Sequence, residues 1–261
     1  MHSIEVRNLS FAYDKECVLN HVNLNIDSGD FVCLLGKSGC GKSTLLRLLA
    51  GLSKPLEGEI TINGEPVTGA SLDRSVVFQD YSLFPWFTTG KNITLSLAQK
   101  YKDMSRSELK TKAIQFLKAV GLDETVFYKY PHELSGGMRQ RCATCRSFAL
   151  NPPVLLMDEP FGALDAVTRA KLQDMAHELW QNDASDRGCR KTVVFVTHDV
   201  DEALRLATKI FILGSSPSEI IYSCEIEQKG LGRQKIFENE DMVALRNKLI
   251  YEINRDIEVR L

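Results

Sequence analysis

Gly36-Lys37-Ser38-Gly39-Cys40-Gly41-Lys42-Ser43-Thr44 stands between an apolar stretch, Phe31 to Leu35, that reads as a strand and a run, Thr44 to Gly51, that reads as a helix. Glycines let the backbone turn several N–H groups inward around an oxyanion, and the helix that follows adds the positive end of its dipole. Lys42 is placed to reach β- and γ-phosphates, and the Ser43 hydroxyl to take Mg²⁺. A glycine turn without a ligand would leave the Lys-Ser pair unexplained. Every residue from Gly36 to Thr44 is therefore a candidate contact to a nucleoside triphosphate, and the strand–loop–helix order points to an α/β core.

A second cluster concerns what is done with the triphosphate. Val154-Leu155-Leu156-Met157-Asp158-Glu159 is an apolar strand ending in two carboxylates, preceded by the breaker Asn151-Pro152-Pro153 and followed by Pro160. So apolar a strand is expected to be covered on both faces, as in a parallel sheet, and its carboxylates then emerge at the carboxyl edge beside the phosphate loop. Asp158 can hold Mg²⁺ through its water shell, and Glu159 can orient or deprotonate a water aimed at the γ-phosphorus.

Between the clusters, Leu134-Ser135-Gly136-Gly137-Met138-Arg139-Gln140-Arg141 resembles the signature of ATP-binding cassette (ABC) proteins. Further motifs resemble that family in order: Gln79 after the strand Ser75 to Phe78 the Q-loop, Ala163-Leu164-Asp165 the D-loop, His198 after the strand Thr192 to Thr197 the switch histidine. Tyr13 sits where the family keeps an aromatic that stacks on adenine. The resemblance implies a P-loop NTPase core of the RecA type, with an antiparallel β subdomain and an inserted helical subdomain. It implies ATP and Mg²⁺ as cofactors, with Ser43, Gln79 and Asp158 at the metal and Glu159, His198 and Gln79 catalytic. Ser135, Gly136 and Gly137, with Asp165 nearby, would face the γ-phosphate held by a second cassette in a head-to-tail homodimer.

The residues carry readings of their own. Ser135-Gly136-Gly137 opens the helical run Met138 to Leu150, which makes a second anion site from a hydroxyl and free N–H groups at a helix N-terminus. His198 follows a strand of alternating valine and phenylalanine, a place suited to sensing the γ-phosphate. For Tyr13 the stacking role is preferred to simple core packing, although aromatics near an N-terminal strand are common. Cys40 lies between Gly39 and Gly41 at a helix N-terminus beside Lys42, which leads us to expect a depressed thiol pKa and raised reactivity.

The 261 residues, 44% of them hydrophobic, support a full core, and a net charge of −2 without basic runs gives no electrostatic case for nucleic acid. Met1 to Leu9 alternates without an apolar stretch, so no signal peptide is expected, and no apolar run approaches the about 18 residues that span a bilayer. The seven cysteines, odd in number and scattered, suit a reducing cytosol. Cys142-x-x-Cys145 has no second pair and falls in an expected helix, which argues against a metal site.

Strands are expected at Ile4 to Leu9, Val18 to Ile26, Phe31 to Leu35, Glu59 to Ile62 before an Asn63-Gly64 turn, and Ser75 to Gln79. Helical periodicity takes over from about residue 88 to 150, with Ser105-x-x-Glu108 as a capping box and Gly121 closing its helix. After Asn151, strands and helices alternate through Leu213. The expected organisation is one cassette spanning residues 1–261, in which 1–87 and 151–261 form the nucleotide-binding core and about 88–150 the helical subdomain. The tail from Glu238 to Asp256 reads as an amphipathic helix packed as a C-terminal cap rather than a regulator.

The chain lacks the second cassette, long coiled coil or fused transmembrane helices of other ABC classes, so the resemblance implies a detached ATPase subunit that borrows a permease. The run Val77-Phe78-Gln79-Asp80-Tyr81-Ser82-Leu83-Phe84-Pro85-Trp86 is similar to the importer group for nitrate, sulfonate and taurine, and so is Thr197-His198-Asp199-Val200-Asp201-Glu202-Ala203. That implies a homodimer on the cytoplasmic face of the membrane, served indirectly by a solute-binding protein. The aromatics Phe84, Trp86 and Phe87 either belong to the core or line a groove for a permease helix. The alternative is a non-transport ABC ATPase that remodels a protein or nucleic-acid partner; a P-loop kinase would give no reason for the Ser135-Gly136-Gly137 cap.

Overall fold

Residues 2–78, 82–162, 164–181, 190–226 and 238–258 are described by the computed structural model of the chain. Strands β1 (Ile4–Tyr13) and β2 (Glu16–Ile26) form an antiparallel hairpin, which β3 (Phe31–Leu35) and the helix α1 (Lys42–Leu49) follow. Next come β4 (Glu57–Ile62), β5 (Glu65–Pro66) and β6 (Arg74–Val77). Asn63 and Gly64 both take positive φ, 55° and 79°, the backbone that a two-residue turn between β4 and β5 requires. These outer strands make one antiparallel sheet in the order β2-β1-β4-β5.

Helices α2 (Thr89–Lys100), α3 (Arg106–Ala119) and α4 (Gly136–Leu150) fill the middle of the chain. The capping box at α3 is present: Ser105 Oγ accepts from the Glu108 amide at 3.3 Å, and a Glu108 carboxylate oxygen accepts from the Ser105 amide at 2.8 Å. Gly121, at φ 68°, closes the same helix, with the Leu122 amide reaching back to Leu117 O and the Gly121 amide to Lys118 O. Asn151 ends α4 in the left-handed region, so the Asn-Pro-Pro breaker works through its first residue.

Strands β7 (Val154–Asp158), β8 (Thr192–Thr197), β9 (Lys209–Leu213) and β10 (Ile220–Glu225) alternate with helices α5 (Ala166–Gln181) and α6 (Val200–Leu206), and α7 (Glu240–Glu258) follows. The second sheet runs β10-β9-β3-β8-β7-β6, all parallel except β10, which pairs antiparallel with β9 and extends the edge. Its central strands are buried on both faces, as their unbroken apolar runs require. Alternation splits them between two cores. Phe31, Cys33, Leu35, Leu155, Met157 and Phe195 join the helical layer, whereas Val32, Leu34, Leu156, Val194 and Val196 pack with α1 and the antiparallel sheet. Leu249 of α7 is fully buried, with Met242, Leu245 and Ile253 packed beside it, a stripe at helical spacing that seats α7 as a cap on the first of these cores. Among the described residues, no helix is long and apolar enough to cross a membrane.

Candidate nucleotide site

Strand register brings the distant motifs together. Leu35 pairs with Thr197, and Asp158 pairs with Val196, so the chain leaves the sheet at Gly36, Glu159 and His198 side by side on one carboxyl edge. There the His198 Nδ1 lies 3.1 Å from Glu159 Oε1, and the Ser43 hydroxyl donates to Asp158 Oδ1 at 2.9 Å. Glu159 holds φ 45°, unfavourable for a residue with a Cβ, and is fixed there by its amide bonding Val196 O at 3.0 Å. Burial raises the Asp158 carboxyl above its ordinary range, opposed chiefly by the Ser43 hydrogen bond.

The loop preceding α1 is built tightly. A Cβ on Gly36 would lie 2.7 Å from Leu213 O and 2.8 Å from the Cys40 sulfur. Gly41, the N-cap, sits at φ 98° with Val18 and Leu19 side chains 2.9 Å from where a Cβ would stand, so only glycine fits. The Lys42 ammonium donates to Gly36 O at 2.8 Å and Lys37 O at 2.7 Å. Ser218, wholly buried, bonds Cys40 O from the segment between β9 and β10, which sequence reading did not single out because nothing local marks it.

The expectation of an activated Cys40 is overturned. Its side chain is 3% exposed, and burial pushes the thiol up by more than the adjacent Lys42 pulls it down. Cys142 and Cys145 are likewise buried in α4, with burial driving the Cys142 thiol up to about 12. No group of three or more potential metal ligands of the His, Cys, Asp and Glu types occurs among the described residues.

A cleft of about 640 Å³ is lined by Tyr13, Ser38, Gly39, Lys42, Ser43, Glu159 and His198. Tyr13 is 46% exposed, with its hydroxyl 3.5 Å from Thr44 Oγ1, which places an aromatic face at the rim rather than in the core. A second hollow of about 490 Å³ adjoins Tyr13, Ser43, Arg47, Phe78 and Asp158. Gln79 falls outside the described residues. The volumes suit a drug-sized, polar ligand.

Ser135, Gly136 and Gly137 do not line this cleft among the described residues. Ser135 is the exposed N-cap of α4, its hydroxyl accepting the Met138 amide at 3.3 Å. The first N–H groups of such a helix have no partner within it. Gln140, one turn further and buried, donates to Pro160 O, tying the signature helix to the chain just beyond Glu159. Asp165 caps the start of α5 through the Thr168 amide at 3.0 Å, which holds its carboxyl below the usual range.

The aromatic run divides. Trp86 is 67% and Phe84 37% exposed, whereas Phe87 is half-buried, and the three rings pack together at 5.6 to 6.2 Å between centroids, Phe87 edge-on to the other two. Beside Phe84 lies a groove of about 420 Å³ walled by Leu52, Arg74, Ser96, Arg146 and Leu150.

A family model described as ABC transporter matches residues 19–162. This chain belongs to the ABC transporter family. It is 46% identical over 202 residues to the nitrate import ATP-binding protein NrtD of Synechocystis sp., covering 77% of this chain and 73% of that one. It is 41% identical to the bicarbonate transport ATP-binding protein CmpC of Synechocystis sp., covering 93% of this chain but 36% of that protein. Among solved structures, a dimeric ATP-binding cassette in a post-hydrolysis state with ADP and Pi superposes with TM-score 0.76 at 34% identity, covering 86% of this chain and 99% of that one. The fold is thus that of an ABC cassette, and the protein is an ATPase.

Proposed function

We propose that this chain is the ATP-hydrolysing subunit of an importer, acting as a head-to-tail homodimer at the cytoplasmic face of a membrane through a separate permease. The observation that carries the chemistry is the convergence of Lys42, Ser43, Asp158, Glu159 and His198 on one sheet edge. Residues Gly36 to Thr44 would cradle the phosphates, Lys42 exchanging its two backbone carbonyls for phosphate oxygens, and Tyr13 would stack on the base. The Ser43–Asp158 pair is a set of hard oxygen donors with a single carboxylate, which fits Mg²⁺ completed by substrate phosphates and water, and Gln79 would join them. Bound there, Mg²⁺ would neutralise charge on the phosphate oxygens. Glu159 takes a proton from the attacking water as the γ-phosphorus–oxygen bond to ADP breaks, and His198 holds Glu159 and the γ-phosphate in line.

Ser135, Gly136 and Gly137, outside their own chain's cleft, would complete the site of a second copy, with Asp165 at the same interface. In this reading the chain is one cassette, residues 1–87 and 151–261 forming the core and about 88–150 the helical subdomain. The exposed Phe84 and Trp86 and the neighbouring groove would seat a permease helix. Relatives named for nitrate import and bicarbonate transport support a small anion as the solute, delivered by a solute-binding protein.

Uptake of candidate anions into vesicles holding the permease and this ATPase tests the proposal. The Phe84→Asp, Trp86→Asp double variant is expected to abolish ATP-driven uptake while basal hydrolysis persists. Uptake unchanged by that variant, or tight association with a soluble partner in place of a permease, would turn the reading toward remodelling.

A further inference from the structure

Behind the Glu159–His198 pair lies a small cavity of about 50 Å³ that also touches Arg169, Asp199 and Glu202. Helix α5 contributes Arg169 to its lining, and Gln173, four residues on, lies on the same face of the helix. Gln173 Nε2 donates to Glu202 Oε1 at 2.8 Å, and Glu202 is 6% exposed. Arg169 is different. One of its terminal nitrogens donates to Leu164 O at 3.1 Å, the other stands 3.9 Å from Asp199 Oδ2, and its Nε is buried with no partner among the described residues. A separation of 3.9 Å is too long for a hydrogen bond, and a buried unpaired guanidinium N–H is costly.

Asp199 meanwhile organises the turn that carries His198. Its Oδ1 accepts from the Asp201 and Glu202 amides at 2.9 and 3.2 Å, and its own amide donates to Thr197 Oγ1 at 3.1 Å. His198 itself is exposed, with Glu159 as its side-chain partner, so the direction of its ring depends on this turn. A movement of about 1 Å would bring Arg169 into charge-assisted contact with Asp199 Oδ2.

We infer that Arg169 is a positioning residue for hydrolysis: it closes onto Asp199 in the active state and thereby locks the His198 turn against Glu159, while its bond to Leu164 O ties that lock to the segment preceding α5. The inference rests on the assignment of Glu159 and His198 to the chemistry. Groups facing Arg169 are Asp199 and, deeper, the Glu202 carboxyl, which Arg169 draws down against the upward push of burial.

The test is steady-state ATP hydrolysis by Arg169→Gln, Arg169→Lys, Asp199→Asn and the double variant Arg169→Gln with Asp199→Asn, each with its thermal midpoint. Asparagine keeps the helix cap at 199 and removes only the charge. Arg169→Gln is expected to lower kcat about 10- to 100-fold with KM for ATP and the thermal midpoint unchanged, as for a misplaced catalytic group. Arg169→Lys should recover part of the loss, Asp199→Asn should match Arg169→Gln, and the double variant should be no worse than either. An Arg169→Gln variant with full kcat, a change confined to KM or thermal midpoint, or losses that multiply in the double variant would overturn it. Glu159→Gln run alongside separates the two levels: full turnover there defeats the site assignment itself, whereas an inactive Glu159→Gln beside an active Arg169→Gln defeats only the lock.

Discussion

Two helix N-termini in this molecule look alike in sequence and differ in construction. The one opening α1 is enclosed: Gly41 is wedged against Val18 and Leu19, Ser218 grips Cys40 O, and Lys42 bonds two carbonyls of its own loop. The one opening α4 is bare, with an exposed Ser135 that caps its own first turn and a buried anchor, Gln140, only further along. A preorganised loop surrounded by its own chain needs nothing more to hold an anion. An N-terminus displayed at the surface has anion-binding groups but no walls, so its use requires a second body. The contrast predicts that damage to the first end alters nucleotide binding, whereas damage to the second alters turnover alone.

Glu159→Gln offers the largest effect, because it keeps shape and removes the proton acceptor that both ends would serve. ATP binding should persist while phosphate release falls at least about 100-fold. Near-normal hydrolysis by protein free of contaminating ATPases would show that the enclosed end is not where the chemistry happens.

Ser135→Arg should come next. As a mere cap, Ser135 is worth about 1 kcal/mol of stability and no turnover; as part of a composite site, its replacement should cost about 10- to 100-fold in kcat with ATP binding to the separated chain retained. Lys42→Ala should instead lose nucleotide affinity. Mixing the two variants would rebuild one intact site per mixed dimer, so activity above either parent is expected. Full activity of Ser135→Arg alone would erase the distinction between the ends.

Thiol modification probes how closed the first end is. Cys17 is exposed and Cys40 buried, so a maleimide should label Cys17 ahead of Cys40, as mass spectrometry of digested protein would show. Cys40→Ala should leave the rate of that labelling unchanged. Rapid labelling of Cys40 that MgATP prevents would mean the loop opens in solution.

The smallest effect concerns the ground behind the edge. Burial raises the Glu202 carboxyl, opposed by hydrogen bonds from Thr197 and Gln173. A carboxyl raised on folding contributes stability that is complete below its unfolded pKa, about 4.3, and is lost as pH climbs through the folded value. Glu202→Gln escapes that loss. Its thermal midpoint should therefore gain on the parent as pH rises above about 4, and parallel curves above that pH would contradict the burial cost.

Much of this architecture was legible beforehand. The capping box at Ser105, the glycine stop at Gly121, the turn at Asn63-Gly64 and the buried strands of the central sheet follow from residues within a few positions of one another, where sterics and hydrogen-bond geometry act directly. The antiparallel β10 was not foreseen, since its pairing with β9 at the sheet edge is a contact between strands that no local pattern specifies.

What the sequence determined alone was the set of local units and the chemical types at their ends: a glycine-rich loop with Lys42 and Ser43, a strand ending in Asp158 and Glu159, a helix begun by Ser135. Tertiary structure decided which of these meet. Register across β3, β8 and β7 set Glu159 beside His198 and left Ser135 outside the cleft. Packing reversed the expected character of Cys40, turned Trp86 and Phe84 outward, and aligned Arg169 and Gln173 of α5 with the carboxylates behind His198. Burial and strand order depend on contacts between residues far apart in the chain, so spacing along it could not supply them.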